Sequence, residues 1–120
     1  LKGIGGFDPR RAFNALTGTS MKDTLGMGYA RKFEAIPVDK QSRPVAKGLE
    51  YAIGDKSIAL MAKKMGNEDA YRYFEKRSLN YKQYFDPASG FFRGMLSDGS
   101  WNGNFDAMKA GNDLYAEGNA

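Results

Sequence analysis

Several carboxylates of this 120-residue sequence stand outside any obvious helix face: Asp86, Asp98, Asp106, Asp113 and Glu117. The chain has no histidine and no cysteine. Disulfides and thiolate metal sites are therefore excluded, and acid, base or nucleophile roles fall to Asp, Glu, Lys and Tyr. Two carboxylates facing each other across a sugar can cleave a glycosidic bond, one protonated to donate to the leaving oxygen and one ionised to activate water or attack. The sequence does not pair these five. By its neighbours alone Glu117, before Gly118-Asn119, reads as a surface acid near a chain end.

Two further patterns touch on ligands. Gly26-Met27-Gly28 lacks a preceding strand and a third glycine, so it is not a phosphate loop. From Asp98 to Asp106, oxygen-bearing side chains recur around glycines as in calcium loops, but position twelve, where a bidentate glutamate belongs, is Lys109. The run reads as a polar turn. Trp101, with Phe91, Phe92, Phe105 and Tyr115, would suit a surface that stacks on apolar sugar faces, whereas Tyr71, Tyr73, Phe74, Tyr81 and Tyr84 read as core.

These residues need elements to hold them. Asp8-Pro9 caps a first helix from Arg10 to about Leu16, fading at Thr17-Gly18-Thr19. Residues 26 to 42 read as structured loop with one short helical turn. A second helix starts at Pro44 and runs to Met65, ended by Gly66. Its apolar side is traced by Val45, Leu49, Ala52, Ile53, Ala59, Ala62 and Met65, widened by Ile58 and Met61, and Gly48 and Gly54 suggest close packing. Asn67 caps a third helix that reaches Asp86-Pro87, and the two-residue link makes the pair an antiparallel hairpin. Phe91-Phe92-Arg93 and Ser100-Trp101 flank Asp98-Gly99 as a small β-hairpin excursion. The remainder is loop, and no internal repeat is evident.

One folding unit over residues 1–120 suits this length, and 42% hydrophobic with 27% charged residues is a globular composition. No apolar run is long enough to span a membrane, and no signal-peptide pattern is present. The 18 basic against 14 acidic residues give a net charge of +4. The basic residues are scattered, with Arg72, Lys76, Arg77 and Lys82 alternating with Glu68, Asp69 and Glu75. They form a solvated helix face, not a nucleic-acid footprint.

Read together, the segments resemble family 92 glycoside hydrolases, collinearly over nearly the whole chain. The carrying blocks are Gly6-Phe7-Asp8, Ile36-Pro37-Val38-Asp39-Lys40, Leu49-Glu50-Tyr51-Ala52, Ile58-Ala59-Leu60-Met61-Ala62-Lys63 and Tyr73-Phe74-Glu75-Lys76-Arg77-Ser78. Then follow Phe85-Asp86-Pro87, Gly90-Phe91-Phe92-Arg93, Asp98-Gly99-Ser100-Trp101, Phe105-Asp106 and Tyr115-Ala116-Glu117-Gly118-Asn119-Ala120.

The resemblance implies a mainly α fold, the helical-hairpin portion of an (α/α)6 barrel, in a calcium-dependent exo-α-mannosidase that inverts configuration. The substrate implied is a mannose-terminated N-glycan, with an α-1,2 linkage expected. Glu117, in Glu-Gly-Asn-Ala, matches the family's general acid, which needs a raised pKa. The base would be an aspartate roughly 6.5 to 9.5 Å from it, expected with the calcium ligands on segments outside this chain. No metal ligand is expected within it. Trp101, Asp55 and Arg93 are the expected substrate contacts. Where the family usually has Tyr-Asp-Asp-Trp the chain has Ile53-Gly54-Asp55-Lys56, and Asn104 replaces the proline before Phe105-Asp106, which bears on linkage preference. On this reading the chain is part of a catalytic domain, inactive alone, its exposed helix faces prone to self-association, and the parent is secreted, periplasmic or at the cell surface of a bacterium. The alternative is a small helical carbohydrate-binding or scaffold module without catalysis.

Overall fold

The computed structural model describes residues 5–103 and 105–109. Four α-helices appear in chain order, α1 (Pro9–Ser20), α2 (Met27–Phe33), α3 (Pro44–Lys64) and α4 (Glu68–Ser78), followed by a 3₁₀ helix (Leu79–Tyr84) and two short strands, β1 (Phe85–Asp86) and β2 (Phe91–Phe92). The Asp8 carboxylate accepts from the amides of Arg10 and Arg11, and Pro9 follows with φ already fixed for a helix. α1 continues past the expected fade to Ser20. The Thr17 hydroxyl donates to the carbonyls of Phe13 and Asn14, which keeps it on the helix instead of competing with it. The expected helical turn in the connecting segment is the seven-residue α2, entered from a left-handed Gly26.

α3 and α4 form the antiparallel hairpin. The Asn67 side chain accepts from the Ala70 amide, Glu68 and Asp69 lie in the first turn of α4, and Gly66 takes φ +73°, the left-handed state that glycine adopts without strain. α3 buries Pro44, Val45, Gly48, Ala52, Asp55, Ile58, Ala59 and Ala62, at three- and four-residue steps. Two expectations change. Ile53 is 70% exposed whereas Asp55 is 5% exposed, so the inward stripe passes through the aspartate. A Cβ at Gly54 would meet open space, whereas one at Gly48 would overlap the ring and hydroxyl of Tyr84. Only Gly48 marks a close approach.

The core falls into two clusters. Phe13, Ile58, Ala59, Ala62 and Phe74 join α1 to the hairpin. Ala35, Val45 and Tyr84 join the α2–α3 connection to the end of the 3₁₀ helix. Tyr84 is the hinge of the second cluster, its buried hydroxyl accepting from the Ile36 amide at 2.7 Å. Of the other aromatics read as core, Phe74 is buried, while Tyr73 and Tyr81 are exposed.

The third helix is shorter than expected, because the chain tightens to 3₁₀ geometry after Ser78 and reaches Asp86 as a strand. β1 then pairs antiparallel with β2, Phe85 opposite Phe92 and Asp86 opposite Phe91, around a turn closed by Gly90 at φ +77°. The Asp98-Gly99 turn does exist, but it joins an isolated bridge between Met95 and Trp101. Phe91-Phe92 therefore pairs backward with Phe85-Asp86, not forward across Asp98-Gly99.

Candidate functional site

The sequence-derived site residues fall at two places, and Glu117 lies outside the described residues. Asp55 sits inside the hairpin, where its two oxygens accept from Arg77 Nε at 2.7 Å and Nη2 at 2.6 Å. Both partners are largely buried. Burial pushes the Asp55 carboxyl above the usual carboxylate range, with the hydrogen bonds and charge of Arg77 pulling it partly back. Arg77 also reaches the Ser20 carbonyl and lies over the Phe74 ring. The pair thereby ties α1, α3 and α4 together. The cavity it borders, with Tyr51, Asn80 and Tyr84, holds about 20 Å³, room for about one water and far below the few hundred Å³ of a ligand pocket.

Arg93 and Trp101 meet in the β excursion. Arg93 follows β2 and donates Nη1 to the Asp86 carboxylate at 2.8 Å and Nη2 to the Asn102 carbonyl at 3.0 Å. Its guanidinium lies 5.5 Å from the Trp101 ring centroid and 4.7 Å from that of Phe105, within cation–π range of both. The hydrogen bond from Arg93 holds the Asp86 carboxyl below the usual range, further lowered by Ser89 and the Ala88 amide. Trp101 is half-buried, and Phe105 also meets the Phe91 ring at 6.1 Å.

Two more carboxylates brace the same excursion. Asp39 accepts from the Ser97 hydroxyl and amide, and Asp98 accepts from the hydroxyl and amide of Ser100. These bonds hold both carboxyls below the usual range. Asp98 and Asp106, the two carboxylates of the run that suggested a calcium loop, thus accept from residues two positions on, Ser100 and Met108. Among the described residues no group of three acidic, histidine or cysteine side chains could hold a metal ion. A more open groove of about 410 Å³ runs along α2 between Asp23, Leu25, Tyr29, Lys32 and Gln41, and contains none of the expected site residues.

Arg77, expected on a solvated helix face, is largely buried because its guanidinium turns inward onto Asp55, and Asp86, named only as an unpaired carboxylate, is the partner of Arg93; both pairings were missed in the sequence. The signal for Arg77 was an aspartate in phase with the buried stripe of α3 and an arginine on the helix that must pack against it. The signal for Asp86 was weaker, a carboxylate seven residues before Arg93 across a proline-glycine turn.

The family description "Glycosyl hydrolase family 92 catalytic domain" matches residues 1–120. The chain belongs to this family. It is similar to the family GH92 α-mannosidase from Bacteroides thetaiotaomicron, with 38% identity, TM-score 0.92, and coverage of 98% of this chain and 16% of that one. The structure of that enzyme with mannoimidazole matches at 36% identity and TM-score 0.89, covering 97% of this chain and 16% of the other. A family GH92 inverting mannosidase from Bacteroides thetaiotaomicron VPI-5482 matches at 26% identity and TM-score 0.90, covering 98% of this chain and 17% of the other. No match was found among curated proteins. The chain spans about a sixth of the length of these solved structures, and its fold is the mainly α hairpin portion of an (α/α)6 barrel with a small β excursion. Among the described residues no helix is long and apolar enough to cross a membrane.

Proposed function

We propose that this chain is one segment of an inverting exo-α-mannosidase catalytic domain, supplying Glu117 as the general acid for removal of terminal mannose, with α-1,2 linkages in N-glycans as the favoured substrate. The observation that carries the reading is the family match across residues 1–120 together with 38% identity to a family GH92 α-mannosidase. Glu117 protonates the glycosidic oxygen as the bond to the anomeric carbon breaks, while an aspartate on another segment takes a proton from the attacking water. Trp101 offers the sugar an aromatic face. Arg93, whose guanidinium is held by Asp86 and Asn102, backs the Trp101 ring, whereas Asp55, held inside the hairpin by Arg77, stands apart from that surface. Calcium is bound by segments outside this chain, in a bacterial enzyme that is secreted, periplasmic or at the cell surface.

The test is Glu117→Gln in the full-length protein carrying this segment, with α-1,2-mannobiose as substrate. A fall in kcat of about 10²–10⁴, with the wild-type product released as the β-anomer by NMR, is expected; unchanged turnover overturns the acid assignment. The isolated chain should be inactive and self-associating, since Ile53 and Leu60 lie exposed on one side of α3. A monodisperse monomer on size exclusion would count against that. The half-buried Trp101 also favours a second reading, a carbohydrate-binding module without catalysis. Because Trp101 is the sole tryptophan, saturable quenching of the isolated chain by mannose would support the module.

A further inference from the structure

The walls of the groove along α2 are fixed by the chain's own contacts. Arg31 donates to the Asp23 carboxylate and to the Lys22 carbonyl, the latter at 3.0 Å, and so pins the segment that enters α2 against the helix. The Tyr51 hydroxyl donates to the Leu25 carbonyl at 2.9 Å. It holds Leu25 at φ +52°, a left-handed state disfavoured for a bulky side chain. Such residues persist where their surroundings over-determine them, and they cluster at functional sites, ligand clamps among them. Two glycines let the polar walls close on the helix. A Cβ at Gly26 would lie 3.2 Å from Cγ of Gln41, and one at Gly28 would meet the Asp23 carboxylate at 2.8 Å.

The lining decides what fits. Its volume of about 410 Å³ falls in the range of about 300–1,000 Å³ for small-molecule sites. Leu25 is 64% exposed and Tyr29 38%, and together they give the groove an apolar patch. Around the patch stand the Asp23 carboxylate, the Lys32 ammonium, the Gln41 amide and the Tyr29 hydroxyl. Among the described residues neither the Gln41 amide nor the Tyr29 hydroxyl makes a hydrogen bond. A phosphate would meet the charge of Asp23, and a divalent cation would meet Lys32 with one carboxylate to hold it, where calcium takes about six to eight oxygens. An apolar segment would cover the polar groups without pairing them. A neutral ring with hydroxyls at its edge and C–H groups on its face satisfies both kinds of surface.

We propose that this groove binds a neutral pyranose, a mannose residue of a glycan, with its C–H face on Tyr29 and Leu25 and its hydroxyls bonded to Gln41, Lys32 and Asp23. The choice of mannose rests on the α-mannosidase reading, whereas the fit to a pyranose rests on the groove alone.

The test is hydroxyl-radical footprinting of the full-length protein, with oxidation of Tyr29 read by mass spectrometry as methyl α-D-mannopyranoside is titrated in. Equal concentrations of sorbitol, an open-chain polyol without a ring face, are the reference. Expected is saturable protection of Tyr29, about twofold when the sugar equals its Kd, with none from sorbitol. Gln41→Ala and Lys32→Met should each shift the protection to about three- to tenfold higher sugar concentration, the loss of one hydrogen bond. Gly54→Ala, outside the groove, should not shift it. Equal oxidation in mannoside and sorbitol overturns the proposal, as does protection that neither groove variant shifts. A Tyr29 that is unreactive without sugar also overturns it, because the groove is then covered by the rest of the protein. If Gln41→Ala is unfolded by circular dichroism, Lys32→Met carries the comparison. Hydrolysis of α-1,2-mannobiose by the same wild-type preparation separates the two readings: turnover without protection removes the groove site alone, and protection without turnover removes the mannosidase reading alone.

Discussion

The ring of Tyr84 passes over α3 at Gly48, where a single added methyl group would overlap its hydroxyl. The glycine leaves the gap that lets the hydroxyl reach the Ile36 amide at 2.7 Å. This crossing joins the hairpin to the segment between α2 and α3. Gly48→Ala gains helix propensity of about 1 kcal/mol but forces the ring out of a packed site, at a cost of about 2–3 kcal/mol or more. The net result should be a clear drop in the urea midpoint, whereas Gly54→Ala, with open space around it, should raise the midpoint.

Tyr84 also makes stability depend on alkaline pH. Burial pushes its hydroxyl up from 10.0 to about 12. The folded chain therefore keeps a proton that the unfolded chain releases, so the contribution is complete below pH 10 and disappears as pH rises through about 12. At most about 2–3 kcal/mol is at stake, from 1.36 kcal/mol per pH unit. Unfolding free energies between pH 9 and 11.5 should fall more steeply for the wild type than for Tyr84→Phe, and tyrosinate absorbance of the wild type should show a late-titrating group that Tyr84→Phe lacks.

Arg77→Met should leave Asp55 buried without its partner and cost about 3–5 kcal/mol at neutral pH. Without the arginine, burial acts alone to raise the Asp55 pKa, so the folded state takes up a proton that the unfolded state lacks. The variant should accordingly lose stability as pH rises from about 4 toward 7. Replacing both residues, as Asp55→Leu with Arg77→Met, should cost much less than the single change, and denaturation of the four proteins of the cycle at two pH values tests both statements.

Acid should act first on the β excursion. Asp39, Asp86 and Asp98 are each held below the usual range by hydrogen bonds from Ser97, Arg93 and Ser100 respectively. Their stabilisation is present above the unfolded carboxylate pKa near 4 and is lost as pH falls through the lowered folded values. Trp101 fluorescence should change at a higher pH than helical ellipticity at 222 nm. Coincident transitions would mean that the excursion and the hairpin unfold as one.

Much of this arrangement was legible because helix ends are written in local chemistry. Asp8-Pro9, Pro44, Gly66 and Asn67 each sit where the structure starts or stops a helix. What was hidden depended on partners far along the chain. Ile53 was expected inside and Asp55 drew attention for its chemistry, yet the aspartate turned inward because Arg77, 22 residues on, satisfies both of its oxygens. The strand pairing was misplaced because Asp98-Gly99 is the stronger turn signal, while the pair that forms beside Phe91 uses the weaker one ending at Gly90. Trp101 and Arg93 were both named as substrate contacts; that they touch each other could not be read from their spacing. Glu117 owes its role to the collinear family blocks, and it lies outside the described residues.

The three-residue link between α3 and α4, Met65 to Asn67, also bears on the order of assembly. Helical pairs with short connections close their contacts at small loop entropy, so this hairpin can form early and fast. The Tyr84–Ile36 bond spans 48 positions and waits on a longer closure. During synthesis the ribosome releases Ile36 well before Tyr84, and until the tyrosine arrives the open notch at Gly48 has no cover. A nascent chain stalled between those two points would hold a formed helix with an unfilled groove, the stage at which this segment is most exposed to proteolysis and misassembly.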